Sequence, residues 1–174
     1  ISDEVQTGFA RTGNMFASEY EDVVPDIYVL GKALGGGIIA VSAVAANSDI
    51  LGVYEPGSHG STFGGNPLGA AVSIKAMEIL ERDNYPQQAK EKGDYFMKRL
   101  REIKNDDILE VRGRGLLIGV EFKVPAAPYV KKLIKGGVLA KETHERTIRF
   151  APPIVSTYEQ LDKALDIIAE AFTK

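Results

Sequence analysis

The sequence predicts an α/β fold that ends in a small α+β unit. Two observations lead there. Up to Asn105, short β-branched and apolar runs alternate with longer stretches of helical spacing, the pattern of helices laid on a sheet. Beyond Asn105-Asp106-Asp107 the runs shorten, and strands and helices mix within one small unit. The chain opens on Ile-Ser-Asp-Glu-Val, which reads as the last residues of a strand whose beginning is absent. Asp26 to Leu30 and Val41 to Ala46 read as buried strands, closed by Gly31 and Asn47. After Asn66-Pro67 the spacing turns helical, with Leu68, Val72, Lys75, Ala76, Ile79 and Leu80 returning on one face and Pro67 suited to a first turn. Tyr85 to Ile103 predicts an amphipathic helix with Tyr95, Phe96, Leu100 and Ile103 inward and its Lys, Arg and Glu residues solvated.

In the last third, strands are expected at Ile108 to Val111 and Leu116 to Phe122, joined by Gly113-Arg114-Gly115. Pro125 and Pro128 open a helix, Tyr129 to Lys135, which Gly136-Gly137 ends. Strands at Val138 to Lys141 and Thr147 to Phe150 come next, and Pro152-Pro153 separates them from a final helix, Glu159 to Phe172.

Composition narrows the functional classes. The 174 residues, 44% apolar and 26% charged, suffice for one large domain or parts of two and argue against disorder. A net charge of -3 without a basic block disfavours nucleic acid as partner. Gly35 to Ala46, interrupted by Ser42, is shorter than the roughly 18 apolar residues of a membrane helix. With no cysteine and two histidines, His59 and His144, neither a disulfide framework nor a metal site is expected. No targeting segment is visible, and the opening residues suggest a fragment.

Three places could carry chemistry. Asp3 falls at the carboxyl end of a strand, where ligands gather in open α/β sheets, and could pair with a cationic ring nitrogen. Alone, such an aspartate more often caps a turn. Lys32 follows the second strand inside Leu30-Gly31-Lys32-Ala33-Leu34-Gly35-Gly36-Gly37. Poorly solvated surroundings would favour a neutral amine able to act as a nucleophile, and the glycines would let backbone approach a flat cofactor. An isolated lysine is otherwise a surface residue. Gly57 to Pro67, with Ser61 and Thr62, offers hydroxyls, N–H groups and a helix start to a phosphate, or is an ordinary glycine-rich turn with a capping Asn66.

Other matches fail. Gly31-Lys32 lacks the upstream glycine and the following Ser or Thr of a P-loop. Gly35, Gly37 and Ala40 fit a dinucleotide spacing, but a β-rich run stands where a helix is needed. Arg149 stands between Ile148 and Phe150, and if buried needs a carboxylate, structural or substrate.

Taken together, Asp3-Glu-Val-Gln6-Thr-Gly8-Phe-Ala-Arg11-Thr-Gly13, the Lys32 segment and Gly60-Ser-Thr62-Phe-Gly-Gly-Asn-Pro67 resemble the pyridoxal-phosphate class III aminotransferases over almost the whole chain. Leu139-Ala-Lys141-Glu-Thr-His144 and Ile148-Arg149-Phe150-Ala-Pro-Pro153 are most similar to members acting on the δ-amino group of ornithine. Members acting on acetylornithine or 4-aminobutyrate are the nearest alternatives. A noncatalytic fold fragment or dimerisation module stands apart from both.

The resemblance implies the end of a large domain of the aspartate-aminotransferase type in residues 1–80, and a small C-terminal domain with a connecting helix in residues 81–174. It implies that Lys32 forms a Schiff base with pyridoxal 5'-phosphate and then shuttles a proton. Asp3 would keep the pyridine nitrogen protonated, and Gln6 would lie near the phenolic oxygen. Ser61 and Thr62 would serve a phosphate, Thr62 that of the neighbouring subunit, so that a cytoplasmic homodimer shares its sites. Arg149 would bind a carboxylate of glutamate or 2-oxoglutarate. The family's phosphate loop and stacking aromatic have no counterpart here, so the chain alone is expected to be inactive and to expose apolar surface.

Overall fold

The computed structural model describes residues 1–173, and these form two compact units. The first comprises Ile1–Ala10 and Asn14–Pro86; the second takes Arg11–Gly13 together with the chain from Gln87 onward.

The first unit holds a three-stranded sheet in the order β1-β2-β3. β1 (Ser2–Asp3) runs parallel to β2 (Ile27–Leu30), with Asp3 opposite Val29, and β2 pairs antiparallel with β3 (Ala43–Ala46). The buried strand expected from Val41 is instead an exposed one that starts at Ala43, with Val44 54% exposed. Residues 31–39 explain the late start. They turn through a short 3₁₀ segment, Lys32–Gly35, and the N–H groups of Ile38 and Ile39 both reach back to the carbonyl of Gly35. A short helix α1 (Ser48–Leu51) leads to α2 (Pro67–Arg82). Asn66 caps α2, its side chain accepting from the Gly69 N–H at 2.7 Å, with Pro67 in the first turn. Gly36, at φ 60°, lets the turn after Lys32 lie against α2: a Cβ there would stand 3.4 Å from that of Ala76. Leu68, expected on the same face as Val72 and Ala76, is exposed one turn before them, and Ile74 is exposed on another face.

The second unit closes a core of its own. α3 (Tyr85–Arg101), α4 (Ala127–Gly136) and α5 (Tyr158–Phe172) accompany an antiparallel sheet in the order β4-β5-β7-β6. Its strands are β4 (Ile108–Arg114), β5 (Leu117–Phe122), β6 (Lys141–Thr143) and β7 (Thr147–Phe150). Period-two alternation sends Ile118, Val120 and Phe122 of β5 inward, where they meet Phe96 and Leu100 of α3 and Leu165 and Phe172 of α5. Fully burying each such side chain contributes about 1.5–3 kcal/mol.

Two expectations shift here. The run from Val138 to Ala140 is not strand: Gly137, at φ 93°, ends α4, and the N–H of Val138 returns to the carbonyl of Leu133 at 2.9 Å. And the charged face of α3 is not wholly solvated, because Lys92 is buried, its Nζ donating to the carbonyl of Ile154 at 2.6 Å. No helix among the described residues is long and apolar enough to cross a membrane.

Candidate active site

Parallel pairing of β1 with β2 puts Asp3 and the residues after Leu30 at the same, carboxyl, end of adjacent strands. Asp3 is exposed at that end, and its Oδ1 accepts the Val5 N–H at 3.0 Å in a local turn. Lys32 comes two residues beyond β2 in a left-handed conformation, φ 44°, which a side-chain-bearing residue adopts at a cost. Its neighbours Gly31, Leu34 and Gly35 are buried, but Lys32 itself is exposed. The poorly solvated pocket expected around its amine is therefore not supplied by these residues. Gln6 is exposed in the turn that succeeds β1.

Glu4 is the residue that sequence reading passed over. It is 1% exposed, and its carboxylate accepts from Thr7 Oγ1, from Ser2 Oγ at 3.3 Å, and from the main-chain N–H groups of Ala17 at 3.1 Å and Ser18 at 2.9 Å. Burial by itself would raise its proton affinity, but the hydrogen bonds from Thr7, Ser18, Ala17 and Ser2 outweigh it and hold the carboxyl below its ordinary value. Glu4 thus ties the end of β1, where Asp3 stands, to the 3₁₀ turn Ala17–Glu21. A charge beside a candidate ligand-binding aspartate gives no signal in the sequence that it will be buried.

Ser61 and Thr62 lie exposed in the loop before α2. Ser61 Oγ accepts the Gly64 N–H at 3.1 Å, and Asn66 Nδ2 donates to the Phe63 carbonyl at 2.8 Å, so this loop holds its own shape. Arg149, in the second unit, is exposed on β7 between the buried Ile148 and Phe150. Burial therefore imposes no structural carboxylate on it. Its register partners are Gly119 on β5 and Lys141 on β6.

Arg11 is partly buried within the second unit, where burial lowers its proton affinity. Its Nη1 donates to the carbonyl of Pro152 at 2.7 Å and, more distantly, to that of Leu116 at 3.4 Å. Backbone passes very close here: a Cβ on Gly115, itself at φ 53°, would stand 2.4 Å from the carbonyl carbon of Thr12.

Comparison with known proteins shows the family and the fold. The family description "Aminotransferase class-III" matches residues 1–172, and the chain belongs to that family. It is 59% identical to an ornithine aminotransferase of Brevibacillus brevis over 98% of this chain and 43% of that protein. It is 57% identical to one of Geobacillus sp. over 99% and 43%. The chain thus spans less than half the length of the curated relatives it matches. Among solved structures, ornithine aminotransferase of Toxoplasma gondii superposes with a TM-score of 0.94 at 41% identity, covering 98% of this chain and 41% of that one. Acetylornithine aminotransferase of Elizabethkingia anophelis gives 0.91 at 44% identity, over 97% and 44%. The fold is that of the C-terminal part of a pyridoxal-phosphate-dependent transferase, and the family's cofactor is pyridoxal 5'-phosphate.

Proposed function

We propose that this chain is part of the subunit of a transaminase that moves the δ-amino group of ornithine to 2-oxoglutarate, giving glutamate semialdehyde and glutamate. The observation that carries the reading is the juxtaposition of Asp3 and Lys32 at the carboxyl ends of two adjacent parallel strands, in a class III chain similar to ornithine aminotransferases. The donor set suits the cofactor: an exposed carboxylate for a protonated ring nitrogen, and a lysine amine on a strained, glycine-flanked turn. Bound pyridoxal phosphate supplies the electron sink that makes the hydrogen on the substrate's amine-bearing carbon acidic. Asp3 would keep the ring nitrogen protonated, and Gln6 would serve the phenolic oxygen. Lys32 would hold the cofactor through its amine and would carry the substrate's proton at Nζ. Ser61 and Thr62 donate to a phosphate, Thr62 to that of the partner subunit in a cytoplasmic homodimer. Arg149 grips the oxo acid's carboxylate.

In this reading residues 1–80 complete a large cofactor domain, and residues 81–174 form the small domain with its connecting helix. The chain alone is then inactive. Acetylornithine is the second reading for the donor, favoured by the likeness to the Elizabethkingia enzyme. Borohydride reduction of the cofactor-loaded full-length protein, followed by peptide mapping, should leave the pyridoxyl group on Lys32. Lys32→Ala should abolish both the label and transamination, because amine and proton carrier vanish together. A label on another lysine would refute the assignment. A donor screen in which acetylornithine outcompeted ornithine would change the substrate and leave the mechanism standing.

A further inference from the structure

Arg11 lies eight residues after Asp3 yet packs with the second unit. The two residues before it, Phe9 and Ala10, are buried and both left-handed, at φ 57° and 73°. Strain in consecutive residues persists only where the surroundings over-determine it, and it marks places where a particular direction of the chain is held. This strained pair delivers Arg11, whose guanidinium Nη1 donates to the carbonyl of Pro152 at 2.7 Å, while its main-chain carbonyl accepts the Leu116 N–H at 3.0 Å. A second cation, the buried Lys92, reaches the same turn from α3, its Nζ donating to the carbonyl of Ile154 at 2.6 Å and to Gln88 Oε1 at 3.1 Å.

The reason two cations are directed at carbonyls lies in the turn itself. Pro152 and Pro153 have no N–H. The turn supplies one internal bond, from the Ser156 N–H to the Pro153 carbonyl at 3.0 Å, while Pro152 and Ile154 take charged donors from elsewhere in the chain. This turn ends β7, and three residues before Pro152 stands Arg149. One face of β7 is fixed by the buried Ile148 and Phe150; its outgoing end is fixed by Arg11 and Lys92.

We propose that Arg11, assisted by Lys92, is a positioning residue for Arg149: by fixing the Pro152 turn it sets the direction from which the Arg149 guanidinium meets an oxo-acid carboxylate. The inference rests on the reading of Arg149 given above. Bidentate recognition of a carboxylate is sensitive to small displacements, so loosening the turn weakens the dicarboxylic acceptor and leaves the amino donor's binding largely alone.

The test uses the full-length, cofactor-loaded protein and three variants, Arg11→Met, Lys92→Met and Arg149→Lys. Ping-pong kinetics give separate KM values for 2-oxoglutarate and ornithine, and calorimetry gives the dissociation constant of glutarate, an unreactive dicarboxylate. Arg11→Met should raise the KM for 2-oxoglutarate and the glutarate constant about tenfold while the KM for ornithine stays within about twofold. Lys92→Met should shift them in the same direction by less, and Arg149→Lys by more. Equal losses for both substrates, or a lowered Tm with unchanged glutarate binding, would make Arg11 merely structural and overturn the inference. If Arg149→Lys weakens glutarate and Arg11→Met does not, the inference alone falls. If Arg149→Lys leaves glutarate binding intact, the reading of Arg149 falls and the inference with it. Should Arg11→Met not fold, Lys92→Met decides the question by the same criteria.

Discussion

The two units reach order by different means. The second encloses a continuous apolar core, with Phe96, Ile118, Phe122, Leu133, Ile148 and Phe172 each no more than 2% exposed. In the first, the strands are at best half-buried, and its buried set includes a carboxylate, Glu4, beside Phe9, Ala10 and Leu34. Yet the first unit carries Asp3, Gln6, Lys32, Ser61 and Thr62. Within this chain, hydrogen bonds at strand ends and turns position the candidate groups of the first unit, while the second unit, which closes a core among its own residues, contributes the exposed cation Arg149.

The largest expected effect tests that contrast directly. Phe122 stacks on Tyr129 at a centroid distance of 4.5 Å and meets Phe172 edge-on at 5.1 Å. Phe122→Ala should destabilise the second unit by about 3–5 kcal/mol, through lost transfer energy plus a residual cavity. Val44→Ala, on the exposed edge strand of the first unit, should cost about 0.5 kcal/mol or less. Urea unfolding checks both, and comparable losses would break the comparison.

Glu4 provides an intermediate effect with a pH signature. Its folded-state pKa is depressed, so its contribution is fully present above the ordinary glutamate value of about 4.3 and is lost as pH falls from there through the folded value. Glu4→Gln puts an amide NH₂ where donors already converge, and should weaken the turn by about 2 kcal/mol at pH 7. Hydrogen exchange at Ala17 and Ser18, whose N–H groups Glu4 accepts, gives the local readout. Their protection should drop in the variant at pH 7, and the difference from the parent should shrink below about pH 4. An equal difference at both pH values would show that charge is not what holds the turn.

Much of this was legible in the sequence, and the misses share causes. β2, β7, α3 and α5 follow from apolar periodicity and caps, and the location of Asp3 and Lys32 at the carboxyl ends of neighbouring strands follows from the strand-like runs before them. β6 was displaced because Val138 to Ala140 has the composition of a strand, while Gly137 commits Val138 to closing α4. The short α1 and the 3₁₀ turn Ala17–Glu21 lack the length that periodicity needs. Glu4, Arg11 and Lys92 were invisible as structural residues because charged side chains are ordinarily exposed, and only a tertiary arrangement decides which are buried against carbonyls or N–H groups.

The smallest expected effect sharpens the comparison most. Asn66 caps α2 through the Gly69 N–H, and Thr157 caps α5 through the Gln160 N–H at 3.2 Å, with Gln160 Oε1 returning to the Thr157 N–H at 3.0 Å. Alanine at either position removes a bond of the same kind, worth about 1 kcal/mol. The consequences should differ because the helices are anchored differently. α5 buries Leu161, Leu165, Ile168, Ala171 and Phe172 in the core, so its first turn cannot loosen without disturbing the unit. Thr157→Ala should therefore lower Tm, by about 4–8 °C for a domain of this size. α2 buries Gly69 and Ser73 alone, so its first turn can fray by itself. Asn66→Ala should speed hydrogen exchange at Gly69 and Ala70 with little change in Tm. A Tm loss from Asn66→Ala as large as that from Thr157→Ala would mean that α2 is coupled to a cooperative core of its own, and that the first unit is held by more than its turns.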